Sequence, residues 1–274
     1  MHLVSDATGE TLHATAKAGC AQFEFIRPIE HVYALVRSPR QLERVLADIE
    51  ATPGIVMYTL VNPRLRRRLE ERCRELQMPS MSILDPIVSM LRGYLGMVEH
   101  IEKPGIQHEL DAEYFKRIDA LTFTMGHDDG QNTETLHDAD VVLVGVSRTS
   151  KTPTCIYLAN RGIKAANVPI VPDVMLPKEL SELEHSLVVG LAISPERLVQ
   201  IRRNRLATMN VAEETDYVDL DIIRSEMTTA RRLFAHHGWP VIDVTRRSIE
   251  ETAAAILNLF GRQQDGLSRG TPLE

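Results

Sequence analysis

The sequence predicts an α/β protein built in two parts, each around a parallel sheet, and three observations carry that prediction. Short apolar runs rich in β-branched residues alternate with stretches of helical period along most of the chain, the pattern of strands joined by right-handed crossover helices. The alternation lapses between Val98 and about Gln107, in a polar stretch holding Lys103-Pro104-Gly105, which marks a boundary. Beyond it Val141 to Val144 is apolar without interruption and ends in Gly145, as a strand buried on both faces does before a helix begins. The expected division is an N-terminal α/β domain with a parallel sheet over 1–105 and a second α/β domain over 106–274.

Each element has its own signal. Leu3-Val4 reads as a strand, the polar turn Ser5 to Glu10 follows, and Leu12, Ala16 and Cys20 share one face of a first helix with Ser5 or Thr8 as its cap. His31 to Val36 is a second strand, and Ser38-Pro39 opens a helix to about Ile49. Thr52-Pro53-Gly54 leads into a third strand over Ile55 to Val61. Asn62-Pro63 starts a charged helix with Leu65, Leu69, Cys73 and Leu76 inward, Met81 to Leu84 is a fourth strand, and a helix follows around Ile87 to Tyr94. In the second half, a helix over Asp111 to Leu121 precedes the strand ending at Gly145. Thr152 to Ala159 is helical, and strands are expected at Ala165 to Val171, Leu187 to Ile193 and Trp239 to Val244. Ser194-Pro195-Glu196 caps a helix to about Met209, Asp216 to His237 is a longer one, and Ser248 with Glu251 starts a closing helix to Phe260, with a frayed tail from Gly261. No sequence repeat is evident.

Composition narrows the class. The chain has 274 residues, 43% hydrophobic and 25% charged, as in globular proteins with a sizeable core. A formal charge of −7 argues against a nucleic-acid partner held by a general basic surface. No apolar run approaches the roughly 18 residues of a membrane span, and Met1 to Asp6 is not a signal peptide, so the expected location is the cytosol with no membrane partner. Cys20, Cys73 and Cys155 lack metal-ligand spacing and are expected as small core residues.

The stretch that carries chemistry follows the strand at 141–144. Gly145-Val146-Ser147-Arg148-Thr149-Ser150-Lys151-Thr152 fits the phosphate-loop pattern G-x-x-x-x-G-K-[ST] everywhere except the second glycine, which is Ser150. A polyphosphate needs converging backbone N–H groups, a helix N-terminus behind them, an ammonium and a hydroxyl for Mg²⁺, and the loop amides, Lys151 and Thr152 supply these. The competing reading is a plain strand-to-helix turn. With the phosphate-loop reading the second half becomes a P-loop kinase-like α/β domain.

Other candidates are weaker. Arg202, Arg203 and Arg205 stand where small phosphate-loop kinases place arginines on transferring phosphates, or else form a solvated basic face. Asp173 and Asp243 are candidate acids near Mg²⁺, Asp243 more in keeping with a structural role. His127-Asp128-Asp129-Gly130 offers a base, a metal ligand or merely a turn. The Ser5 to Thr11 loop sits at a strand-to-helix junction, where open sheets hold ligands, and His236-His237 before Gly238 read as a helix end.

As an ordered set, these motifs resemble a known family. Gly145 to Ala159, Gly162 to Pro169, His127 to Gly130, Ser5 to Thr11, Gly190 to Arg205 and Ser248 to Glu251 look like the bacterial pyruvate, phosphate dikinase regulatory proteins and their relatives that regulate phosphoenolpyruvate synthase. The likeness covers nearly the whole chain. Thr149-Ser150-Lys151, where the synthase branch usually has Cys-Gly-Lys, puts it nearer the dikinase branch.

The resemblance implies a bifunctional enzyme. It would phosphorylate a threonine of the dikinase with ADP as donor and remove that phosphate with inorganic phosphate, forming pyrophosphate. Lys151 would then act on the β-phosphate, Asp128 or Asp129 as general base, Arg148 with Arg202 or Arg205 in charge stabilisation, and Thr152 and Asp173 at any Mg²⁺. A homodimer is compatible with the sequence. Rival readings are the same chemistry on phosphoenolpyruvate synthase, a small-molecule kinase and a non-catalytic nucleotide-sensing adaptor.

Overall fold

A computed structural model describes residues 1–25, 27–96, 104–105, 112–172, 174–209 and 216–269. Contacts divide the chain into two compact units, Met1–Glu109 and Leu110–Glu274. Most of the polar stretch from Val98 to Gln107 lies outside the described residues.

The first unit alternates β1 (His2–Ser5), α1 (Glu10–Cys20), β2 (His31–Tyr33), α2 (Pro39–Ala51), β3 (Val56–Thr59), α3 (Pro63–Glu75), β4 (Ser80–Ser82) and α4 (Asp85–Leu95). Its four strands pair in parallel in the order β2-β1-β3-β4. β1 and β3 lie in the middle and are buried along their whole length. Ser38 and Gln41 close a reciprocal capping box at the start of α2. In α3, Leu65, Leu69 and Cys73 face the core while Arg68 and Arg72 reach Glu43 and Glu50 on α2. These pairs are exposed and contribute little to stability.

Two expectations need correction here. β2 ends at Tyr33 rather than Val36, because Leu35 takes a left-handed φ of 57° and the amides of Leu35 and Val36 turn to the carbonyls of Ala7 and Ser5. The apolar run therefore covers the loop after β1 instead of lengthening the strand. The N-cap of α1 is Gly9 at φ 85°, without a side-chain cap, and Ser5 Oγ instead accepts from Ala7 N at 3.1 Å.

The second unit contains α5 (Ala112–Gly126), β5 (Val141–Gly145), α6 (Lys151–Ala159), β6 (Ala165–Pro169), β7 (Leu187–Ala192), α7 (Pro195–Thr208), α8 (Leu220–His237), β8 (Val241–Asp243) and α9 (Ile249–Arg269). Its parallel order, β6-β5-β7-β8, repeats that of the first sheet, a likeness of topology that the sequence hides. Val141 to Val144 are fully buried at its centre. Each such side chain contributes about 1.5–3 kcal/mol of transfer free energy. Chain direction across the sheet reverses beside β5, so the loop after β5 opens at the switch point where such sheets hold ligands.

Close packing fixes the helices around that loop. A methyl group on Gly190 would stand 2.7 Å from the ring of the buried Phe234, so α8 seats against β7 because residue 190 has no side chain. Ser248 and Glu251 cap α9 reciprocally, as their spacing predicts. That helix runs to Arg269, past the expected fraying point at Gly261 and despite the weak helix formers Gly261 and Gly266, and Gln263 donates to the His185 carbonyl. Cys73 and Cys155 are buried and Cys20 is half-buried, all with free thiols.

Candidate active site

The loop between β5 and α6 is built for close approach. A Cβ on Gly145 would meet the Leu191 carbonyl oxygen and Thr149 Oγ1, each at 2.9 Å, so only glycine lets the chain turn there. Thr149 is fully buried and its hydroxyl donates to the Val146 carbonyl at 3.0 Å. Lys151 Nζ donates to the same carbonyl at 2.9 Å. Arg148 and Ser150 adopt φ values of 73° and 62°. Ser150 thus keeps the left-handed turn of the glycine it replaces, at a cost of about 1–2 kcal/mol. Among the described residues, the amides of Ser147 to Ser150 give no backbone hydrogen bond, and the N-terminus of α6 has no side-chain cap. Converging free amides at a helix start form an anion cradle.

Lys151 is only 6% exposed. Burial pulls its pKa down to about 8, and the carboxylates of Asp129 and Asp128 only partly offset this. A polyphosphate in the cradle would supply the missing counter-charge. Binding of a polyphosphate there is therefore expected to take up a proton near pH 8 and to weaken as pH rises beyond it, which calorimetry with candidate phosphate ligands in buffers of differing ionisation enthalpy measures.

Beside the lysine, three side chains form a polar triangle. Thr152 Oγ1 donates to Asp128 Oδ1 at 2.8 Å, and Asn167 Nδ2 donates to Asp128 Oδ1 at 2.6 Å and to Thr152 Oγ1 at 3.0 Å. The His127–Gly130 turn is zipped to β6, with Asn167 N donating to the His127 carbonyl and Gly130 N to the Asn167 carbonyl. His127 is a structural anchor, not a base. Its Nδ1 donates to the Phe123 carbonyl, its Nε2 pairs with the Thr135 hydroxyl, and its ring stacks on Phe123. Asp129, at φ 52°, is exposed on the turn. The hard oxygens of Thr152 and Asp128, with a buried Asn167 Oδ1 that lacks a hydrogen-bond partner, suit Mg²⁺. Asp173 lies outside the described residues. Among the described residues, no three His, Cys, Asp or Glu side chains form a metal cluster.

The arginines divide in two. Arg202 is 2% exposed and grips Glu226, with Nη2 to Oε2 at 2.7 Å, so it does not present a free guanidinium to a phosphate. It also donates to the Tyr217 carbonyl at 3.1 Å and lies 4.5 Å from the centre of the Tyr217 ring. Burial raises the pKa of the Tyr217 hydroxyl, but hydrogen bonds with Ser147 and Arg148 and the charges of Arg202 and Arg148 bring it below the usual value. Arg148 therefore stands at the loop, braced by Tyr217. Arg203 and Arg205 are exposed, on the solvated face of α7. Asp243 is structural, accepting from Thr245 N at 2.8 Å. In the first unit, the buried Asp6 carboxylate accepts from Val61 N at 2.7 Å, which gives the Ser5–Thr11 loop a structural tie.

Comparison with known proteins decides the family. The model of the kinase/pyrophosphorylase family matches residues 1–257. The chain belongs to this family. Among its relatives, a protein of Caulobacter vibrioides is 59% identical over 260 residues, 95% of this chain and 82% of that one. Proteins of Hyphomonas neptunium and Maricaulis maris are each 56% identical, over 95% of this chain and 93% and 92% of theirs. All three are named pyruvate, phosphate dikinase regulatory protein.

Within this kinase/pyrophosphorylase chain, the structure brings Gly145 to Thr152, Asp128 and Asp129 together and adds residues the sequence reading missed. Asn167 ties Asp128 to Thr152, Tyr217 braces Arg148, and Glu226 holds Arg202. Asn167 had a signal, being the one polar side chain within the strand Ala165–Pro169. Tyr217 and Glu226 had none, since their partners lie far away in sequence.

Proposed function

We propose that this protein is an ADP-dependent serine/threonine protein kinase and a phosphate-dependent phosphorylase, acting on pyruvate, phosphate dikinase in the cytoplasm. The observation that carries the reading is Lys151, a buried ammonium folded back onto the carbonyl of its own loop, beside free amides and the Thr152–Asp128 pair. The name shared by the relatives supports the target.

In the forward direction, the threonine hydroxyl of the target attacks the β-phosphorus of ADP. Asp128 or Asp129 takes its proton, the bond from that phosphorus to the bridging oxygen breaks, and AMP leaves. Lys151 and Arg148 neutralise charge on the transferring phosphate. In the other direction, an oxygen of inorganic phosphate attacks the phosphorus of the phosphothreonine. The threonine oxygen leaves with a proton returned by the same carboxyl group, and pyrophosphate forms. Both directions use one site, because each places a diphosphate unit in the same cradle. Thr152 and Asp128, with the Asn167 Oδ1, would hold Mg²⁺, which when bound supplies further charge neutralisation.

The test uses ADP labelled on its β-phosphate and dikinase phosphorylated on its catalytic histidine. Label is expected in acid-stable phosphothreonine, and later addition of inorganic phosphate is expected to release it as pyrophosphate. Bound ADP without transfer would move the target to phosphoenolpyruvate synthase. Failure with that enzyme too would leave a nucleotide-binding adaptor.

A further inference from the structure

A cavity of about 1030 Å³ runs between α8 and the segment that follows β6, and it meets the phosphate loop at Val146. Its floor is apolar, formed by Val146, Ile170, Leu176, Leu233 and Trp239. Its rim carries Lys178, Arg232, His236 and His237, the last stacked on Trp239 with ring centres 4.4 Å apart. Among the described residues of the lining, the one carboxylate, Glu226, is committed to Arg202. Apolar side chains continue on the outside, with Val171, Val174 and Ile222 exposed and Met175 93% exposed.

We propose that this groove seats the segment of the acceptor protein that flanks the phosphorylated hydroxyl, with apolar side chains on the floor and an anionic group against the basic rim. The proposal rests on the protein-kinase reading above. Three features select this occupant. The groove is continuous with the phosphate loop, since Val146 is among its lining residues and its carbonyl receives Lys151. The cavity sits at the upper end of the roughly 300–1,000 Å³ of small-ligand pockets, and its apolar lining spills onto open surface, as an interface for a polypeptide does. With Glu226 neutralised by Arg202, the rim is complementary to negative charge.

The test is the double substitution Ile222→Asp and Arg232→Glu, both at exposed positions of α8 that carry no part of the phosphate loop. Binding of the dikinase, by biolayer interferometry, is measured beside phosphate transfer and ADP titration. The variant is expected to raise both the Kd and the KM for the dikinase by about tenfold or more, with ADP affinity unchanged. Unchanged dikinase binding and KM would overturn the proposal. A parallel loss of ADP affinity would also overturn it, by giving the groove to the nucleoside. If the wild-type chain binds the dikinase without transferring phosphate, and the variant loses that binding, the groove stands while the kinase reading falls. No wild-type binding and no transfer would overturn both.

Discussion

Lys151→Ala is expected to lower phosphate transfer from ADP by about 10²–10³-fold, the range for removing one preorganised charge-stabilising group from a water-excluded site. The protein should keep or raise its melting temperature at neutral pH. Lys151 has a folded pKa of about 8 against an ordinary value of 10.5, so the unfolded chain binds more protons between those values. Its contribution to stability therefore improves as pH climbs from about 8 to 10.5, and its desolvation cost is fully present below about 8. Removing the ammonium at pH 7 relieves that cost. Single-turnover transfer and a thermal melt on the same sample check both halves. A variant that loses activity only because it has unfolded would assign the lysine to the fold.

This opposition of activity and stability explains which parts of the site the sequence exposed. β5 was readable because Val141 to Val144 sits in the core and obeys local rules of period and composition. The helix start at Ser38 was readable because Pro39 follows it, and that at Ser248 because its partner Glu251 lies three residues away. Gly145, Lys151 and Thr152 stood out because the phosphate-loop pattern prescribes their spacing. What stayed hidden depends on folding. Ser150 and Arg148 take positive φ with no glycine to announce it, which the loop enforces against their preference. The shortening of β2 follows from amides that turn to a loop about thirty residues upstream. Arg202 read as a phosphate ligand or a surface charge, and both readings failed because its partner Glu226 lies on the next helix. No local pattern distinguishes an arginine that meets substrate from one that meets a buried carboxylate.

The same ion pair gives the largest expected effect on stability. Arg202→Ala should destabilise the second unit by about 3–5 kcal/mol, because Glu226 would remain largely buried without its counter-charge. The double variant Arg202→Met, Glu226→Leu removes both charges and fills the space with apolar groups, so chemical denaturation should find most of that loss recovered. Phosphate transfer should not recover with it. Arg202 also holds Tyr217 through its carbonyl and its ring, and Tyr217 in turn braces Ser147 and Arg148 at the mouth of the phosphate loop. Methionine can do neither. A double variant with near wild-type stability and a kcat reduced by about tenfold or more, at unchanged ADP affinity, would make Arg202 a positioning residue for Arg148. If stability and kcat returned together, the pair would serve the fold alone, and the orientation of Arg148 would have to come from the loop's own left-handed turn.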